Sequence, residues 1–169
     1  SGKIVKPGEV NITHIQRVFP IKEVFKKNKH KVNQLRKEIS RTCLSPKVKN
    51  IFSEIFIKSI NSLAFNLIAL KYEQNNLQLK NNNKAKKEIL EILKEGDIIL
   101  KKNRIKIFQS PISRINQTLK STSHTMSMLN AYKTNKEIEI VELWKSFEKT
   151  INKLNFKMIK TKKNFKIVK

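Results

Sequence analysis

Side chains that could attack a substrate, move a proton or hold a metal are few in this sequence and far apart. The histidines are His14, His30 and His124, and Cys43 is the one cysteine. None of them falls in a His-Glu-x-x-His arrangement or at zinc-ligand spacing. His124 lies in a hydroxyl-rich stretch, Ser121 to Thr125. A hydroxyl beside an imidazole can serve as nucleophile and base, yet no orienting acid, oxyanion loop or glycine elbow accompanies this one. The sequence has three glycines, none arranged in a phosphate-cradling loop. Glu88, Glu91 and Glu95 stand among lysines on a helical pattern, where ion pairing is their ordinary role. These residues predict a protein that is not an enzyme, with no catalytic residue, no metal and no cofactor.

Charge is the more informative chemistry. Lysine and arginine number 37 against 13 acids, a formal net charge of +24. Such a surplus destabilises a compact state by self-repulsion and suits a polyanionic partner. Codon usage in an AT-rich genome enriches Lys, Asn and Ile together, which accounts for part of the lysine content but not for the scarcity of Glu. The cations are also clustered. Lys26, Lys27, Lys29 and Lys31 stand together with His30. Lys101, Lys102, Arg104 and Lys106 lie in a segment, 98–136, that has no acid and also holds Arg114. Lys160, Lys162 and Lys163 lie in an acid-free C-terminal stretch. These twelve cations are the predicted nucleic-acid-binding residues. Lysines would neutralise phosphates, and with only five arginines, bidentate base reading would be slight. Phe108 and Phe165 are the aromatics interleaved with the basic stretches, where they could stack on bases.

The elements that position these residues read as helices. Pro20 opens a pattern with Val24, Phe25, Val32, Leu35 and Ile39. Ser45-Pro46 has the form of a helix start, Ser at the cap and Pro in the first turn. After it, Val48, Ile51, Phe52, Ile55, Ile60, Leu63, Leu67 and Leu70 recur at helical spacing and predict a central buried helix. Its uncharged run, between Lys58 and Lys71, is too short to span a bilayer. Lys84 to Glu95 predicts a shorter helix stopped by Gly96, and helix is also expected over Ile98 to Phe108. Ser110-Pro111 repeats the helix-start device. A last helix begins near Glu137 and places Val141, Trp144, Ile151 and Leu154 on one stripe, which makes Trp144 a core anchor. The sum is an all-α fold: one compact domain of about five or six helices over residues 19–158, an N-terminal arm over 1–18, and a flexible basic tail over 159–169.

Three stretches carry a resemblance. Leu44-Ser45-Pro46-Lys47-Val48-Lys49, Phe108-Gln109-Ser110-Pro111-Ile112-Ser113-Arg114 and Leu143-Trp144-Lys145-Ser146-Phe147-Glu148 are similar in order and spacing to the gamete antigen 27/25 family of malaria parasites. The resemblance implies an all-helical, homodimeric, RNA-binding protein of the Plasmodium gametocyte, cytoplasmic in location.

Composition and resemblance together predict non-enzymatic binding of a polyanion, foremost RNA, with little sequence specificity. The alternative is a helical scaffold or adaptor, including an exported parasite protein, that engages an acidic protein or an anionic membrane surface.

Overall fold

Helix caps decide where most elements begin. The computed structural model describes residues 2–12, 18–48, 50–120, 124–153 and 155–168. His14, Ser121 to Ser123 and the last residue of the predicted tail lie outside them. The chain forms two units, Ser1–Glu54 and Ile55–Lys169.

The first unit opens with a two-stranded antiparallel hairpin, β1 (Gly2–Lys6) and β2 (Glu9–Ile12). Gly8 turns it at φ +81°, a conformation open to a residue without Cβ. A 3₁₀ turn, Lys26–Asn28, leads into helix α1 (Lys29–Ile39). The helix expected from Pro20 therefore starts nine residues later. Ser45-Pro46 does not start a helix. The Ser45 hydroxyl donates instead to the Phe19 carbonyl at 2.8 Å, beside a backbone bond from Phe19 N–H to the Leu44 carbonyl. The Arg36 guanidinium donates twice to the Ser45 carbonyl, at 3.1 and 3.2 Å. The cap of helix α2 (Ile51–Tyr72) is Asn50, whose side-chain oxygen accepts the Phe52 N–H at 3.0 Å.

The second unit holds the rest of α2 and six further helices among its described residues: α3 (Asn76–Asn81), α4 (Asn83–Lys102), α5 (Pro111–Thr118), α6 (Ser127–Lys133), α7 (Ile140–Lys153) and α8 (Ile159–Val168). The fold is all-α apart from the hairpin, as the periodicity requires, with two helices more than the upper expectation. α2 is the core element: every residue from Leu63 to Leu70 is buried, and Leu63, Leu67 and Ile68 belong to the same buried hydrophobic cluster as Ile89, Ile92 and Leu93 of α4. By length and composition α2 is apolar enough to cross a membrane, but 44 % of its most apolar window is buried inside the protein.

Two helix ends depart from the sequence reading. Gly96 does not stop α4. It is buried in mid-helix, where a Cβ would run into the Ile60 side chain of α2. The stop is Arg104, held at φ +56°. Its N–H bonds the Lys101 carbonyl and the Ile105 N–H bonds the Leu100 carbonyl, the paired pattern that closes a helix with a left-handed residue. Residues 105–110 are thus not helical. Ser110-Pro111 does start a helix, with the Ser110 hydroxyl oxygen accepting the Ser113 N–H at 3.2 Å.

The predicted flexible tail is a correction of a different kind, because residues 159–168 form α8 and are docked. The Glu95 carboxylate of α4 accepts the Lys160 N–H at 2.7 Å and the Thr161 N–H at 3.0 Å, capping α8 from another helix. The Thr161 hydroxyl adds a third bond at 2.7 Å. An anion at a helix N-terminus meets the positive end of the helix dipole. The Lys71 ammonium then ties α8 to the core by donating to Asn164 Oδ1 and to Glu88, both at 2.6 Å. Burial, and next the Glu88 carboxylate that accepts its hydroxyl, raises the pKa of Tyr72 beside them.

A prediction follows from the α2–α4 contact. Gly96→Ala should lower stability despite its better helix propensity. The propensity gain is about 1 kcal/mol, while overpacking a full core typically costs about 1–3 kcal/mol. Ile60 is β-branched and cannot swing away at low cost. A lower urea midpoint at unchanged slope is the expected result; a higher midpoint would show that α2 and α4 have room to separate.

Candidate functional site

The predicted cations fall into two regions. Lys26, Lys27, Lys29 and Lys31 are exposed on the 3₁₀ turn and α1 of the first unit. In the second unit, Lys101 and Lys102 end α4, and Arg104 and Lys106 follow it, all exposed. Lys160, Lys162 and Lys163 are exposed along α8. The fold brings the end of α4 to the entry of α8 although more than fifty residues separate them in sequence. The Lys102 ammonium sits 5.0 Å from the centroid of the Phe156 ring, which adjoins Lys157 at the entry to α8. Among the described residues, Lys160 alone of these seven cations is ion-paired, with Glu91 at 3.7 Å.

Arg114 does not belong to this surface. It is 2 % exposed, and its guanidinium is committed to Asp97 of α4 at 2.5 Å and to Asn61 Oδ1 of α2 at 3.0 Å. It is a core residue and cannot reach a phosphate. The two candidate stacking aromatics separate as well. Phe165 is buried, its ring stacked on Trp144 at 5.4 Å between centroids. Phe108 is 69 % exposed, with the Lys106 ammonium 5.4 Å from its centroid, so it alone keeps a ring face for a partner.

A second arrangement escaped the sequence reading. Lys58, Ser62 and Asn66 stand four residues apart on α2, so they share one face of the helix. Asn66 is buried. Its amide donates to the Ser62 carbonyl at 2.9 Å and to the Ser62 hydroxyl oxygen at 3.2 Å. Its oxygen accepts the Met128 N–H at 3.1 Å, capping the first turn of α6 from across the core. Ser62 is half-buried and Lys58 exposed, so the stripe runs from solvent to core. Because Asn66 supplies a proton to the Ser62 oxygen, the hydroxyl hydrogen is left to donate elsewhere. The arrangement thus offers an ammonium and a hydroxyl donor on one helix face, with a buried amide bonded to the hydroxyl. Its signal in the sequence is the four-residue spacing of Lys58, Ser62 and Asn66, the last two being among the four polar residues that interrupt the run between Lys58 and Lys71. His124, the other candidate, contributes its backbone carbonyl to the Asn76 N–H at 3.1 Å.

The sequence matches no protein-family profile and no curated protein. Solved structures do match. D-mandelate dehydrogenase, in a ternary structure with NADH and anilino(oxo)acetate, superposes with a TM-score of 0.83 at 15 % identity over 99 % of this chain and 56 % of its own. A PanE/ApbA family ketopantoate reductase from Ralstonia eutropha JMP134 gives 0.78 at 13 % identity over 99 % of this chain and 55 % of its own. The dimeric ketopantoate reductase of Staphylococcus aureus gives 0.72 at 13 % identity over 99 % and 57 %. The chain therefore spans little more than half the length of the structures it resembles. At these identities what is shared is the fold: nearly all of this chain has the backbone arrangement of one part of those oxidoreductases.

Proposed function

We propose that these residues form the helical, substrate-binding portion of a two-part oxidoreductase acting on a small 2-oxo or 2-hydroxy acid. The observation that carries this reading is the superposition of 99 % of the chain on part of an enzyme whose structure holds NADH and an oxo-acetate. The residues here do not fit a dinucleotide. Of the three glycines, Gly2 is in a strand, Gly8 turns a hairpin and Gly96 packs on Ile60, so none opens a helix beneath a phosphate. The cofactor would lie on a part beyond these residues. The α2 stripe is suited to the acid itself. The Lys58 ammonium offers a cation to its carboxylate or carbonyl oxygen, and the Ser62 hydroxyl offers a donor that Asn66 holds in place.

The test is a titration of phenylglyoxylate into the chain, followed by backbone amide NMR. Shifts should centre on Lys58, Ser62 and Met128 and disappear in Lys58→Ala. With the nucleotide-binding part present, Lys58→Ala should slow 2-oxo-acid reduction by about 10²–10³-fold, the usual effect of removing one donor from a reacting oxygen. No shift in the α2 stripe, together with full turnover in the variant, would exclude the assignment.

A second reading keeps the chain's charge at the centre. The exposed cations at 101–106 and along α8, with Phe108 beside them, support non-specific binding of a polyanion, foremost RNA; a homodimer would double that surface. If about five phosphates are contacted, log affinity for a single strand should fall with log salt at a slope of about −3.5. Replacing Lys101, Lys102, Arg104 and Lys106 by Ala should weaken binding to all sequences alike and flatten the slope. Anionic vesicles or an acidic protein binding where RNA does not would favour the scaffold alternative instead.

A further inference from the structure

A cleft of about 530 Å³ opens between α7 and α8; the oxo-acid reading does not use it, and the polyanion reading shares with it only Lys162 and Lys163. Its size is within the range of small-molecule sites, about 300–1,000 Å³. The two walls differ in chemistry. α7 contributes Trp144, Glu148 and Ile151, at positions that repeat every three or four residues and so share a face. α8 contributes Ile159, Lys162, Lys163 and Lys166 by the same periodicity. Phe156 and Met158, from the connection between the helices, complete an apolar floor with Trp144 and Ile151. Lys157 brings the lysines around the cleft to four, against the single acid Glu148. None of the four is ion-paired among the described residues, and Glu148 offsets only part of their charge, so the cleft carries a net positive charge over its apolar floor. The walls are held in place independently, because Phe165 stacks on Trp144 and Glu95 caps α8.

We propose that this cleft binds a small amphiphilic anion, with an aliphatic or aromatic body on the floor formed by Trp144, Ile151 and Met158 and a carboxylate or phosphate head among Lys162, Lys163 and Lys166. Apolar surface alone would select a neutral ligand, and lysines alone would bind any anion. Their juxtaposition in one concavity selects a molecule that carries both. A docked protein helix is the poorer fit, because a stable protein interface covers about 800 Å² on each partner, far more than this cleft presents. The assignment uses no residue of the α2 stripe, so its outcome is independent of the oxo-acid reading.

Trp144 is the sole tryptophan and lines the cleft, so its emission reports occupancy directly. The full chain would be titrated with octanoate, octyl phosphate, 1-octanol, acetate, inorganic phosphate and a short oligouridylate. Octanoate and octyl phosphate should shift the emission saturably, and the tighter of the two identifies the head group. The double substitution Lys162→Ala with Lys166→Ala should weaken that binding about tenfold or more and leave helix content unchanged, since Ala is a strong helix former. Lys84→Ala with Lys87→Ala, at exposed sites near the start of α4, should leave it unaltered. The proposal is overturned if 1-octanol binds as well as octanoate, if the headless or tailless probes act as strongly, if the Lys162/Lys166 variant binds normally, or if no probe changes the emission.

Discussion

Arg114→Leu should destabilise the protein by about 3–5 kcal/mol, the cost of leaving one member of a buried ion pair without its partner. Asp97 is itself buried, and Arg114 Nη2 is its cationic partner at 2.5 Å. Removing the guanidinium leaves the Asp97 carboxylate uncompensated in the interior and strands Asn61 Oδ1, which accepts from Nη1. The pair as a whole need not be strongly stabilising, since two charges must be taken out of water to make it. The Arg114 Nε, buried with no hydrogen-bond partner among the described residues, adds to that cost. The double variant Arg114→Leu with Asp97→Leu should therefore recover much of the loss. Urea denaturation of both variants measures this. A single variant within about 1 kcal/mol of the parent, or a double variant that loses the full sum, would show that α2, α4 and α5 are not clamped by this pair.

Trp144→Ala should cost a similar amount, about 3–5 kcal/mol, by transfer of a large ring and the cavity it leaves. Trp144 is 5 % exposed and stacks on Phe165 with 26° between the ring planes. The loss should be uneven. α8 is held on one side by Trp144 and on the other by Glu95 and Lys71 of neighbouring helices. Deleting the ring should expose α8 to hydrogen exchange well before α2 and α4, whose core is internally packed. Trp144→Phe should retain most of the stability because an aromatic stack remains available. Uniform loss of protection across all helices would mean that α8 is an integral part of the core rather than a docked element.

Both predictions concern residues that the sequence singled out, Trp144 in the role the structure gives it and Arg114 in another. Trp144 was readable as a core anchor from its spacing with Val141 and Ile151 on α7. Arg114 read as one more cation in an acid-free segment, because its acid, Asp97, lies on another helix. The Ser-Pro and Trp144 stretches singled out in the sequence divide in the same way. Ser110 caps α5 and Trp144 anchors α7, both local roles, whereas Ser45 makes its hydrogen bond to Phe19, twenty-six residues away.

The sequence by itself determined what depends on neighbours within a turn or two of helix. Apolar periodicity marks α2, α4, α5 and α7 because side chains three and four residues apart share a face. Ser110-Pro111 marks the start of α5 because a cap needs only its own next turn. The charge clusters are visible because net charge is a sum over residue types. Tertiary structure alone decided the rest. Whether Gly96 stops a helix or admits one depends on Ile60, thirty-six residues earlier. Whether residues 159–168 are a tail or a helix depends on Glu95, which satisfies the first N–H groups of α8 from another helix. Whether Lys58, Ser62 and Asn66 form a site depends on the Met128 N–H arriving at Asn66, sixty-two residues on. In each case an unsatisfied donor, an unpaired charge or an unfilled space is assigned its partner by the packing of helices, and a linear pattern does not specify which distant residue that partner is.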